Sequence, residues 1–89
     1  MAKTMQVLIP SALRSYTRVS RVEAAGSTLS EVLADLDRQF PGLRFRMVDE
    51  QDRLRPNMRV FVNGLGTFDL ALALRPADDV AIVQALSGG

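Results

Sequence analysis

One segment limits the possible folds of this chain more than any other. Leu29, Val32, Leu33, Leu36 and Phe40 recur at the i, i+3, i+4, i+7, i+11 spacing that lines one side of an α-helix. Thr28, with Glu31 three residues on, has the spacing of a capping box, in which side chains satisfy the orphan amides of a helix start. Pro41-Gly42 ends the periodicity. Glu31, Asp35, Asp37 and Arg38 fall off the apolar stripe. At 89 residues the chain is the size of one domain, so this stripe has to cover something close by in sequence.

The flanking segments supply that surface. Met5-Gln6-Val7-Leu8-Ile9 is nearly continuously apolar, as in a strand covered on at least one face, and Pro10 closes it because proline cannot donate to a sheet ladder. A connection over residues 11–17 leads to a second strand over 18–24, where Val22 and Ala24 alternate with Arg21 and Glu23. These two strands pair most simply as a hairpin. Beyond the helix, residues 43–58 are charged and carry a short helical turn around 45–49, then a loop through Pro56-Asn57. Arg59-Val60-Phe61-Val62 is a third strand ending in the turn signal Asn63-Gly64. Leu70-Ala71-Leu72-Ala73-Leu74 suits either a strand or a helical turn. Residues 76–79 form a turn, residues 80–86 the last strand, and Ser87-Gly88-Gly89 a flexible tail. The expectation is an α+β domain over residues 1–86, with a mixed sheet of four to five strands and one main helix packed across it. That is the β-grasp (ubiquitin-like) plan.

Composition removes several function classes. The chain has no cysteine and no histidine, so disulfides, thiol nucleophiles and the usual zinc ligand sets are excluded, as is the commonest proton-transfer side chain. Asp78-Asp79 reads as a turn rather than a catalytic pair. Six arginines fall from Arg38 to Arg59, but Asp49, Glu50 and Asp52 interrupt them and the chain's net charge is only +1. With Phe40 on the apolar helix stripe and Phe45 as the one other aromatic inside it, this run reads as a solvated face and not as a nucleic-acid surface. No stretch nears the roughly 18 apolar residues of a membrane span, and the apolar run near the N-terminus is too short for a signal peptide. A soluble, cytoplasmic protein that binds neither nucleic acid nor membrane is expected.

Four stretches carry a family resemblance. They are Val7-Leu8-Ile9-Pro10 with Leu13-Arg14-Ser15-Tyr16; Gly26-Ser27-Thr28-Leu29-Ser30-Glu31-Val32-Leu33; Val60-Phe61-Val62-Asn63-Gly64; and Ala77-Asp78-Asp79-Val80-Ala81-Ile82-Val83 running into Ala85-Leu86-Ser87-Gly88-Gly89. Together they resemble the small sulfur carriers: the small subunit of molybdopterin synthase, the thiamine sulfur carrier, and the carriers of cysteine and siderophore synthesis. An Asp-Asp-Val-Ala-Ile-Val strand shortly before a terminal Gly-Gly is the most specific of these features. Two departures stand out. Ala77 occupies the place where the family usually has glycine, and Gln84-Ala85 stands where proline often precedes the tail.

The resemblance implies that the working atom is the carboxyl of Gly89, reached through Gly88. A ubiquitin-activating-like adenylyltransferase would adenylate it with ATP, a sulfur donor would convert it to a thiocarboxylate, and an acceptor enzyme would receive the sulfide. The carrier itself would bind no cofactor. The acceptor would be cysteine synthase-like or the large subunit of molybdopterin synthase, and the stretch Leu13 to Tyr16 leans toward the longer, cysteine-type carriers. A ubiquitin-like modifier or interaction module without sulfur transfer shares the same fold and tail and is the alternative.

Two further expectations concern docking. In a β-grasp sheet the first and last strands are parallel neighbours, which puts residues 11–17 beside the tail exit. Arg14 and Tyr16 would then flank the path of the carboxylate, Arg14 meeting anionic groups; otherwise they are a solvated arginine and a tyrosine covering the sheet edge. Phe61 is opposite in phase to Val60 and Val62, and Val83 to Ile82, so one set faces away from the helix. Phe61, Val83 and Leu86 are the candidate partner surface.

Overall fold

The computed structural model describes residues 4–85, and its elements follow from the patterns above. Strand β1 (Thr4–Leu8) is followed by a 3-10 turn at Ser11–Leu13 and a helical turn α1 (Arg14–Thr17), then by strand β2 (Arg21–Ala25). Helix α2 (Leu29–Gln39) and the short helix α3 (Leu43–Met47) come next. Strands β3 (Met58–Val62), β4 (Leu65–Thr67) and β5 (Asp79–Gln84) complete the chain. The five strands form one mixed sheet in the order β2-β1-β5-β3-β4. Strands β1 and β5 are parallel, while β1–β2, β3–β5 and β3–β4 are antiparallel. This is the β-grasp architecture.

Helix α2 forms where its stripe and cap place it. Thr28 Oγ1 accepts from the Glu31 amide at 3.2 Å, while Glu31 Oε1 reaches back to the Ser27 amide at 2.7 Å, one residue before the cap. Leu29, Val32, Leu33 and Leu36 are completely buried against Val7, Val60, Val80 and Ile82 of the sheet's covered face. Leu43, Met47 and Val48 extend this core under α3. Asp35 fastens the helix to the edge strand. Its carboxylate accepts from Arg38, from the Ala25 amide at 3.0 Å and from Gln39 at 3.0 Å. The Arg38 hydrogen bond, followed by the Ala25 amide, holds its pKa below the usual carboxylate value against the opposing effect of burial.

Gly26 is required by close approach. A Cβ there would lie 2.7 Å from the Val32 amide nitrogen and 2.9 Å from the Glu31 backbone, so the chain entering the helix lies directly against the helix's own first turn.

Several boundaries differ from expectation, each for a local reason. The connection over 11–17 is largely helical, and Arg18 adopts φ 66°, a left-handed C-cap that delays the second strand to Arg21. The second helical turn starts at Leu43 because the Gly42 and Arg44 amides are both taken by Asp37 Oδ1 at 3.1 Å. The last strand begins one residue earlier, at Asp79, and ends at Gln84. Asn63 (φ 52°) and Gly64 (φ 85°) form a tight hairpin turn to β4, a strand the sequence did not announce. Residues 70–74 are neither strand nor helix. Their carbonyls cap the start of α2 instead, with Leu70 O accepting from Ser30 N at 2.8 Å and Leu72 O from Leu29 N at 3.0 Å.

The turn over residues 76–79 is present and well anchored. Asp78 accepts from the Arg75 amide at 2.8 Å and from the Asn63 side chain at 3.1 Å, and these two bonds, in that order, lower its pKa. Asn63 Oδ1 accepts in return from the Asp79 amide at 2.9 Å. Ala77 sits at φ 74°, in the left-handed region, where glycine carries no Cβ penalty.

Candidate functional site

The site is defined by where β5 delivers the end of the chain. Because β1 and β5 run parallel, with Leu8 paired to Ala81, their C-terminal ends share one edge of the sheet. The last residue of β5, Gln84, pairs with Met58, and the Ala85 amide donates to Asn57 O at 2.7 Å. The chain beyond Ala85 therefore starts from a fixed point. Leu86, Gly88 and Gly89 lie outside the described residues, as does the boundary between domain and tail near residue 86.

On the sheet face opposite α2, alternation leaves apolar groups uncovered. Leu8, Ala81 and Phe61 form one row across β1, β5 and β3, and Gly66 of β4 continues it beneath the Phe61 ring. Val83, 40% exposed, stands beside Arg59 in the next row, whose guanidinium lies 5.5 Å from the ring centroid of the exposed Phe68. Val60, Val62, Val80 and Ile82 take the buried phase. Phe61 and Val83 thus share the face that turns away from the helix.

The expected docking residues Arg14 and Tyr16 both lie on the helical turn α1, after the end of β1. Arg14 is exposed, and its Nε donates to Ile9 O at 3.0 Å, fixing the turn to the end of the first strand. Tyr16 is half-buried against the core, with its ring 3.6 Å from where a Cβ on Gly42 would stand. The tyrosine packs against the core cluster from its side.

Neither residue lines the cavity that opens beside the tail exit. That cavity, of about 300 Å³, is bounded by Ala12, Leu13, Phe45, Arg46, Arg55, Asn57 and Gln84. The sequence reading assigned Phe45 and the arginines to a solvated face. A locating signal was nevertheless present: Leu43 and Met47, four apart, take the buried side of α3 and turn Phe45 and Arg46 outward. Among the described residues no group of acidic side chains is arranged to hold a metal ion. No helix among them is long and apolar enough to cross a membrane.

Comparison with known proteins gives this geometry its context. The chain matches the ThiS family over residues 7–89. It is 33% identical to the sulfur carrier protein CysO of Mycobacterium tuberculosis, over 93% of this chain and 96% of that protein. The crystal structure of Mycobacterium tuberculosis CysO superposes with a TM-score of 0.86 at 31% identity, covering 92% of this chain and 99% of the other. A chain of the Amycolatopsis orientalis BexX/CysO complex gives 0.87 at 30% identity, covering 96% and 99%. At 22% identity and a TM-score of 0.82, covering 97% of this chain and 99% of the other, SAMP1 of Haloferax volcanii shares the fold. By sequence and by structure, this chain belongs to the ThiS family, the small sulfur carriers of the ubiquitin-like β-grasp class.

Proposed function

We propose that the chain carries sulfur on the carboxyl of Gly89 and supplies it to cysteine biosynthesis. The observation that carries this reading is the 33% identity to a sulfur carrier over 93% of the chain, within a family match that runs through to residue 89. A carboxylate is a poor electrophile until one oxygen becomes a good leaving group. An adenylyltransferase of the ubiquitin-activating kind attaches AMP from ATP to the Gly89 carboxylate and releases pyrophosphate. Sulfide from a donor then attacks the acyl carbon, AMP departs, and a thiocarboxylate remains. On an acceptor enzyme resembling cysteine synthase the thiocarboxylate sulfur bonds to the acceptor substrate, and water then cleaves the link to the acyl carbon, supplying the oxygen that restores the carboxylate. The chain binds no cofactor of its own, since ATP is held by the partner, and it works in the ATP-containing cytoplasm.

The chain's own residues contribute geometry. Strand β5 fixes the departure point at Ala85, and the four residues from Leu86 to Gly89 reach at most about 13–14 Å. Without Cβ atoms, the two glycines fit a channel too narrow for other residues. The open row of Leu8, Ala81 and Phe61, with Val83 beside it, gives the partner an apolar surface to seat against. The absence of cysteine is no obstacle, because the sulfur rides on the main chain.

The test is intact mass after incubation with the adenylating enzyme, ATP and a sulfide donor. A shift equal to one sulfur-for-oxygen exchange, located on the C-terminal peptide and missing from a chain lacking Gly88 and Gly89, is expected. An unchanged mass, or an adduct with the mass of another protein, would overturn the reading.

A further inference from the structure

The root of the tail is bracketed by two arginine–aromatic stacks. On the cavity side, the Arg55 guanidinium lies 4.5 Å from the Phe45 ring centroid, and its Nε donates to Phe45 O at 2.7 Å. On the open sheet side, Arg59 lies over Phe68, and its Nη1 donates to Pro56 O at 2.7 Å and Met58 O at 2.9 Å. Gln84 borders the first stack and Val83 is paired with the base of the second, so the strand that delivers the tail leaves between them.

The first stack stands on rigid backbone. The Val48–Leu54 bridge and the Arg55 amide bond to Met47 O at 2.9 Å tie the two halves of the charged loop together. Phe45 is nonetheless 56% exposed and Phe68 67%. Two large aromatic rings in water, each carrying a guanidinium on its face, gain little stability for the fold.

The charges around the exit are one-sided. Arg46 and Arg55 line the cavity, and no carboxylate does. Among the described residues neither arginine belongs to an ion pair, nor does Arg59; the ion pairs there are Arg38–Asp35 and Arg44–Asp52. Asp49 stands within the electrostatic reach of Arg55 without forming an ion pair with it, and its Oδ1 accepts from the amides of Gln51 at 2.9 Å and Arg53 at 3.1 Å.

We infer that Arg46, Arg55 and Arg59, the latter two held by Phe45 and Phe68, form a cationic collar that docks on an acidic rim at the mouth of the activating enzyme's tail channel. The inference rests on the carrier function proposed above. A tail of at most about 14 Å can enter a partner's nucleotide pocket only if the surface around Ala85 comes against the partner. Whatever surrounds the channel mouth therefore faces these three arginines. Stacking fixes the guanidinium planes before contact, so less side-chain freedom is lost on pairing with carboxylates. The collar adds charge selection and encounter rate to the apolar seat supplied by the sheet face.

ATP–pyrophosphate exchange with the adenylating enzyme of the same organism, run across a salt series, tests this. Arg46→Gln, Arg55→Gln and Arg59→Gln should each raise the KM for the carrier about 1.5- to 5-fold at low salt, the range of one exposed ion pair. The triple variant should raise it about 10-fold or more, with kcat unchanged, and should converge on wild type at high salt as screening removes the contribution. Phe45→Leu, which keeps the apolar bulk and the charge, should give a smaller increase by loosening Arg55. Thermal unfolding of every variant should match wild type, which separates docking from folding. Wild-type exchange with unaltered KM in the triple variant at all salt concentrations would overturn the collar and leave the carrier reading intact. A wild-type chain that supports no exchange would overturn both.

Discussion

The two faces of the sheet are built from the same strands and almost the same residue types, yet they serve different ends. On one face Val60, Val62, Val80 and Ile82 meet helix α2 and are sealed from water. On the other, Phe61, Ala81 and Val83 alternate with them one residue away and have no covering element among the described residues. In a chain this small one helix can cover only one face, so apolar residues on the second are surplus to the core. On the proposed reading, fold stability and partner docking sit on alternate residues of a single strand and should be separable by substitution.

Adjacent substitutions in β5 test that separation most strongly. Ile82→Ala removes a buried branched side chain and should lower stability by about 2–5 kcal/mol in urea unfolding. Val83→Ala, one residue on, should cost under about 1 kcal/mol and instead weaken association with the adenylating enzyme. Comparable losses of stability in the two variants would break the comparison.

Next in size is the close approach that lets α2 lie on its face at all. Gly26→Ala places a methyl group against the backbone of Glu31 and Val32, and backbone cannot rotate away. A loss of about 1–3 kcal/mol is expected, as for overpacking elsewhere. Thermal unfolding unchanged from wild type would show that the helix entry is more yielding than its geometry implies.

The smallest effect should be a gain. Ala77 at φ 74° bears the cost of a left-handed conformation for a residue with a Cβ, about 1–2 kcal/mol, part of which glycine returns as chain entropy. Ala77→Gly should therefore raise stability by roughly 0.5–1 kcal/mol without changing exchange kinetics, because the turn is far along β5 from the tail exit. The family's usual glycine at this turn has the same physical basis.

Features expressed as local periodicity were legible in the sequence. The Leu29–Phe40 stripe, the Thr28–Glu31 cap and the opposed phases of Phe61 and Val60 all appear as designed by spacing alone. Features that depend on a distant partner were not. Leu70 and Leu72 use their carbonyls to cap a helix some forty residues earlier in the chain, which no repeat within residues 70–74 announces. The three-residue β4 is too short to show alternation. Phe45 and Arg55 are ten positions apart and meet only because a bridge between Val48 and Leu54 folds the charged loop on itself. Arg14, by contrast, stood out by its place in a family-like stretch and proves to be bonded to the Ile9 carbonyl. Gly88 and Gly89 were read from the resemblance, and their role is tested by mass and not by geometry.

The position of β5 between β1 and β3 has a mechanical consequence. A carrier is handled by the end of its chain, so every partner that draws the tail into a channel also pulls on β5. Because this strand is paired with β3 over Val80–Gln84 and with β1 over Asp79–Ala81, a pull along its axis loads the β3 ladder first and the β1 ladder behind it, both in shear. An edge strand under the same pull would have a single ladder to bear it. Under the proposed carrier function, the force of a handover would therefore pass from β5 into β3 and, deeper in the sheet, into β1, instead of resting on the Ala85 hydrogen bond alone.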